Sequence, residues 1–160
     1  MRKIKVAAMG VEHRHIFGQL NGMLNLGCEC VGWWNETENK ITKYFKKKHT
    51  DITRFTNKED LLKNKEIELV LIADIPVKRA ALAIECMNAG KDVMLDKPGC
   101  TSLEQLKEIE NTTKKTGKIF SIDFSERFEV PSVQVAYDLI QTGEIGDVVQ
   151  TIGMGPHRLN

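Results

Sequence analysis

The sequence predicts an α/β protein with a doubly wound parallel sheet, followed by the incomplete start of a second α/β domain. Two observations carry the first part. Short apolar runs alternate with helically spaced stretches from Ile4 to Phe124, punctuated by glycine and proline. One of those runs, Ile67 to Ala73, is apolar throughout except for Glu68, as a strand covered on both faces requires. Alternating units of this length imply right-handed crossovers and a ligand crevice beyond the carboxyl ends of the strands.

Ile4 to Met9 reads as the first strand, bounded by Gly10. Ile16, Leu20, Met23 and Leu24 then recur at helical spacing as far as Gly27. Cys28 to Trp34 is a second extended run, with Trp33 and Trp34 on opposite faces. Thr37 is placed to cap a helix carrying Ile41, Tyr44 and Phe45, and Lys46, Lys47 and Lys48 suit the negative end of its dipole. Thr53 to Thr56 reads as a short strand, and Thr56 with Glu59 as a capping box for a brief helix through Leu61 and Leu62. After the strand Ile67 to Ala73, Pro76 opens a helix that Gly90 closes. Asp92 to Leu95 is a strand. Thr101 and Glu104 form a second capping box, for a helix with Leu103, Leu106 and Ile109 as its buried stripe, and Gly117 precedes a strand from Lys118 to Phe124.

The pattern then changes. Ser125 to Val130 reads as a linker, Pro131 opens a helix ending near Gly143, and Asp147 to Ile152 reads as a strand. The expected domains are residues 1–124, a ligand-binding α/β domain, and residues 125–160, the linker, helix and first strand of an incomplete C-terminal domain. A lone helix and strand cannot bury their own apolar faces, so a self-associating chain whose Asp147 to Ile152 strand pairs with a copy is one expectation.

Composition excludes several classes of partner. The 160 residues are 41% hydrophobic, and 23 Lys and Arg balance 22 Asp and Glu. No global field draws the chain to nucleic acid or to an anionic membrane, so a small molecule is the expected ligand. Neither a signal peptide nor an apolar stretch of membrane-spanning length is present, and a cytoplasmic location is expected. Cys28, Cys30, Cys86 and Cys100 are irregularly spaced, which suits reduced, inert thiols.

The turn after the first strand is where backbone amides and a helix N-terminus could hold a dinucleotide's pyrophosphate. A G-x-G-x-x-G pattern beginning at Gly10 finds Glu12 and His15 where its other two glycines belong. Glu12 would limit backbone approach and repel phosphate. His13 and His15 could offset this as hydrogen-bond donors. As an H-x-H pair they could also bind a metal, but no third ligand is evident, and no metal is expected. Asn35 ends the second strand, where an acid usually binds the adenosine ribose; it can hydrogen-bond a ribose without charge, leaving NAD or NADP open. Glu36 could supply that acid or serve the helix entry. Asp96-Lys97-Pro98 follows a buried strand and brings an ammonium to the crevice edge. There Lys97 could donate to a substrate hydroxyl, with Asp96 holding it. The candidate catalytic residue is Lys97. The candidate cofactor-binding set is Gly10, Glu12, His13, His15, Asn35, Glu36, Ala73, Asp96, Lys97 and Pro98.

Together these residues resemble the Gfo/Idh/MocA family of NAD(P)-dependent oxidoreductases. The resemblance rests on the glycine turn, Ala89-Gly90-Lys91-Asp92-Val93, Asp96-Lys97-Pro98 at the family's Glu-Lys-Pro motif, Arg127-Phe128, and Gly143-Glu144-Ile145-Gly146. It implies a Rossmann domain, NAD or NADP as cofactor, a sugar or polyol substrate, and a homo-oligomer. It also places Lys97 at the lysine that contacts substrate and nicotinamide. Family members continue into a second α/β domain carrying the catalytic Asp and His, so this chain is expected to bind cofactor without turnover. His157 is not assigned that missing role. The rival expectation is a non-catalytic nucleotide-sensing or protein-interaction module in which Glu12 has abolished cofactor binding.

Overall fold

The computed structural model describes residues 2–128 and 130–155. Its contacts cluster into two compact units, one ending at Asp123 and one beginning at Phe124.

In the first unit the order is β1 (Lys5–Val11), α1 (His15–Asn25), β2 (Glu29–Trp34), α2 (Lys40–Lys48), α3 (Lys58–Lys63), β3 (Leu69–Ala73), α4 (Pro76–Asn88), β4 (Asp92–Asp96), α5 (Leu103–Thr116) and β5 (Phe120–Asp123). The five strands form one parallel sheet in the order β2-β1-β3-β4-β5. The chain crosses from β1 outward to β2, then returns past β1 to β3 and continues in that direction to β4 and β5, so the strand order reverses between β1 and β3, where doubly wound sheets place their ligands.

Strand alternation divides the core between the two faces. Ala7 and Met9 of β1 join Val70 and Ile72 of β3 against Ala80, Ala83, Cys86 and Met87 of α4. Val6 and Ala8 join Leu71 and Ala73 against Ile16 and Leu20 of α1 and Phe45 of α2. Every one of these side chains is fully withdrawn from water. At about 1.5–3 kcal/mol for each large apolar side chain, the two layers are the main favourable contribution to this unit. Trp33 lies in the second layer, and Trp34, half-buried, packs on the first.

Local signals were displaced where side chains had better partners. The cap of α2 is Asn39, not Thr37. Asn39 Oδ1 accepts from the amides of Ile41 and Thr42 at 2.7 and 2.9 Å, and Thr42 Oγ1 accepts from the Asn39 amide at 2.7 Å. Thr37 instead donates its hydroxyl to Glu12. The cap of α5 sits one residue later than expected and is not a reciprocal box: Ser102 Oγ accepts from the Gln105 amide, while Gln105 Oε1 reaches past the cap to accept from the Thr101 amide at 2.8 Å. Thr56 does not cap α3, whose N-cap residue is Asn57, which makes no side-chain cap hydrogen bond. Of the expected α5 stripe only Ile109 is buried; Leu103 and Leu106 are 79% and 50% exposed. Helical spacing puts residues on one face, but the packing partner decides how far along that face burial extends. Thr53 to Thr56 makes no strand, only a parallel bridge between Arg54 and Trp33.

In the second unit, α6 (Ser125–Phe128) falls where a linker was expected, and α7 (Pro131–Gln141) follows. Arg127 lies over the Tyr137 ring at 4.9 Å. Residues 147–152 form no strand, and Val149 and Ile152 are 96% and 79% exposed. An apolar run becomes a strand only when another strand pairs with it. His157 lies outside the described residues.

Candidate functional site

The carboxyl ends of β1, β2, β3 and β4 bring most of the candidate residues to one edge of the sheet. β1 runs two residues further than its apolar pattern suggested, through a register shift between Met9 and Val11. Gly10 adopts φ +69° within that irregularity. A Cβ there would lie 2.6 Å from the Asp74 Cβ, so both conformation and space require glycine. The amides of Glu12 and His13 both donate to the Ala73 carbonyl, at 3.2 and 2.9 Å. Ala73 thus holds the turn through its backbone.

Glu12 does not project into the turn. Its Oε1 accepts from Asn35 Nδ2 at 2.6 Å and from Thr37 Oγ1 at 3.2 Å, and its Oε2 accepts from Asn39 Nδ2 at 2.6 Å. Asn35 is buried and fully engaged: Oδ1 accepts from the Val11 amide at 2.6 Å, and Nδ2 also donates to the Thr37 carbonyl. The β1 turn therefore delivers a carboxylate to the end of β2, the position where an acid was missing from the sequence. Four lone-pair positions and three donors leave one acceptor position on Glu12. Glu36 faces elsewhere, paired with Lys78 of α4, and that ammonium holds its carboxyl below the ordinary value.

Asp96 organises the other half of the site. Its side chain is 3% exposed and meets Arg79 Nη2 at 2.8 Å, His15 Nδ1 at 2.9 Å and His13 Nδ1 at 3.3 Å. Asp96 was expected to hold Lys97. It holds Arg79 and the two histidines instead, while Lys97, just past the end of β4, is exposed. Arg79 in turn donates to the carbonyls of Asp74, Asp96 and Lys97 at 2.6, 2.9 and 2.6 Å, and to that of Pro98 at 3.2 Å. This fan fixes the Asp96-Lys97-Pro98 backbone, whose Lys97–Pro98 bond is cis. Lys97 itself is exposed, with its ammonium free to meet a ligand.

Burial, and then the charge of His15, lower the His13 pKa, with Asp96 opposing both. Burial raises that of Asp74, partly offset by the Ile75 amide, which donates to its carboxylate. The sequence reading missed Arg79, Asp74 and Arg14. Arg79 carried no signal, since a basic residue on a helix ordinarily reads as solvated. Arg14 directly precedes α1, is exposed, and places positive charge where a phosphate would meet the helix N-terminus.

The cysteines are free, as expected, and two are strongly deactivated: burial pushes the Cys86 thiol up to about 12 and the Cys30 thiol up to about 11. No helix among the described residues is long and apolar enough to cross a membrane.

Comparison with known proteins gives the same assignment as the residues. Residues 7–124 match the model of the Gfo/Idh/MocA oxidoreductase family, described by its NAD-binding Rossmann fold. The chain belongs to this family. Among solved structures, this Gfo/Idh/MocA chain is similar to an oxidoreductase-like protein of Erwinia carotovora atroseptica. The two are 37% identical with a TM-score of 0.93, over 99% of this chain and 47% of that one. It is 28% identical to the inositol 2-dehydrogenase of Salmonella typhimurium over 100 residues, which are 62% of this chain and 30% of that enzyme. It shares its fold with the WlbA dehydrogenase of Bordetella pertussis, solved with NADH and UDP-GlcNAcA. There the identity is 21% and the TM-score 0.76, over 89% of this chain and 42% of that one. The chain thus spans less than half the length of each of these relatives.

The residues present fit a dinucleotide. Gly10 makes the turn, Arg14 and the start of α1 carry positive charge, and Glu12 offers a carboxylate acceptor at the end of β2.

Proposed function

We propose that this chain is the dinucleotide-binding part of an oxidoreductase that moves hydride between NAD(P) and a hydroxyl-bearing carbon of a sugar, polyol or related small molecule. The observation that carries this reading is the Arg79 fan, which fixes the Lys97 backbone at the crevice edge while leaving the Lys97 side chain exposed. In this reading Lys97 donates a hydrogen bond to the substrate hydroxyl and orients it. Gly10, Arg14 and the α1 N-terminus receive the pyrophosphate, and Glu12 receives the adenosine ribose. The bound nicotinamide supplies or accepts the hydride. By family resemblance, the base that takes the hydroxyl proton belongs to the second domain, and the Rossmann domain supplies the cofactor site.

The test is titration with NADH and NADPH, following tryptophan quenching and energy transfer to the nicotinamide. Trp34 lies next to Asn35 at the end of β2 and serves as reporter. Saturable binding of either cofactor is the expected result. No binding up to about 1 mM, a free energy weaker than about −4 kcal/mol, would overturn the reading.

A further inference from the structure

The histidine pair is not accounted for by dinucleotide binding. His13 and His15 lie two residues apart in a turn, yet both aim Nδ1 at the same carboxylate, 3.3 Å from Asp96 Oδ2 and 2.9 Å from Asp96 Oδ1. Their rings meet edge to face with centroids 4.3 Å apart. One ligating atom from each of the three residues lies within 4.8 Å of the other two. Atoms bound to a common Zn²⁺ at about 2.0–2.2 Å stand roughly 3.3–3.6 Å apart in a tetrahedral site, so small side-chain rotations bring this set to ligating geometry. We propose that His13, His15 and Asp96 form a site for a divalent transition cation of the zinc class, with a remaining coordination position open to solvent.

Three features support the site. Its backbone is fixed: the His13 amide is bonded to Ala73, His15 opens α1, and Asp96 ends β4. Its donors are two imidazoles and one carboxylate, a set that favours zinc, cobalt or nickel over magnesium or calcium. Its access is one-sided, because the histidine side chains are 45% and 36% exposed while that of Asp96 is 3% exposed. Arg79 meets Oδ2 from the buried side and orients the carboxylate as an outer partner does, leaving Oδ1 toward His15, while His13 faces the Oδ2 that Arg79 also meets. The guanidinium charge opposes the cation, so the expected affinity is micromolar rather than nanomolar. Asp96 is distant in sequence from the H-x-H pair, so this third ligand was not visible before the fold was known.

The test is calorimetric titration of the full chain with Zn²⁺ and with Co²⁺, together with the visible absorption of the Co²⁺ form. Saturable binding of one equivalent is expected, and His13→Ala and His15→Ala should each weaken it by about tenfold or more. In the unmodified chain, Zn²⁺ should shift the ring-proton resonances of His13 and His15 and leave those of His49 in place, a readout that needs no variant to fold. Absence of saturable binding, binding unchanged in both variants, or a thiolate-to-cobalt charge-transfer band from the cysteines would each overturn the proposal.

Discussion

Arg79 and Asp96 form an ion pair at 2.8 Å in which each side chain is only 3% exposed. A buried pair of this kind adds little net stability, yet breaking it is costly because one charge is left without its partner. Arg79→Met should therefore destabilise the chain by about 3 kcal/mol, near the lower end of the usual range since His13 and His15 also face Asp96. The urea midpoint measures this. A loss under about 1 kcal/mol would mean that the histidines alone satisfy the carboxylate.

Gly32 permits a close crossing. A Cβ there would stand 2.4 Å from the Phe55 ring and 2.8 Å from the Thr53 carbonyl, and that carbonyl accepts the Trp33 amide. The ring could turn away, but the backbone could move only by losing that bond. Gly32→Ala should cost about 1–3 kcal/mol, the usual penalty for overpacking. Thermal unfolding is the check, and an unchanged midpoint would show that the segment 53–55 is free to shift.

The alternating layers were legible because they depend on local periodicity and on turn residues whose conformation is dictated by the chain itself. Pro76 opening α4 and Gly90 closing it with φ +81° are of that kind. The sheet edge was legible only in part. Gly10, Asn35 and Lys97 could be placed by counting from strand ends, but what each one touches depends on neighbours distant in sequence. Glu12 looked like an obstacle to phosphate until the fold placed Asn35, Thr37 and Asn39 around its carboxylate. Arg79 and Asp96 are 17 positions apart and meet only because α4 crosses back beneath β4. The strand expected at residues 147–152 failed for the complementary reason: its apolar pattern was present, and no strand among the described residues pairs with it.

His49 gives a pH dependence of known sign. It is 8% exposed, caps the end of α2 between the rings of Phe17 and Phe45, and has a buried Nε2 with no partner among the described residues. Burial, and then Lys48, lower its pKa below the ordinary 6.5, with Asp51 opposing them. The unfolded chain therefore gains a proton at a higher pH than the folded one. The contribution of His49 is complete above about pH 6.5 and declines as pH falls from there toward its folded value. His13 is shifted in the same direction, so the comparison must be differential. Urea midpoints between about pH 7.5 and about pH 5 should fall less steeply in His49→Gln than in the unmodified chain. Equal slopes would mean that His49 is protonated in place.

Glu12 should set the choice of cofactor. A carboxylate at the end of β2 can accept a hydrogen bond from a ribose hydroxyl but opposes a 2′-phosphate, so NADH should bind more tightly than NADPH. Asn35, Thr37 and Asn39 hold it by three hydrogen bonds, which keeps the negative charge at that position instead of letting it swing toward solvent. Glu12→Gln removes the charge and retains the length, although its new N–H₂ must turn away from the donors that faced the carboxylate. The turn will lose some order, which weakens both cofactors alike, and the ratio of their affinities isolates the electrostatic part. That ratio should move toward NADPH by about tenfold, or about 1.4 kcal/mol. The same titration on Glu12→Asp, which keeps the charge on a shorter arm, should leave NADH preferred. An unchanged ratio in Glu12→Gln would place the ribose away from Glu12, and preferred binding of NADPH by the unmodified chain would place a cation, such as Arg54 or Lys58 of the pocket that Asn35 also lines, in control of that end of the site.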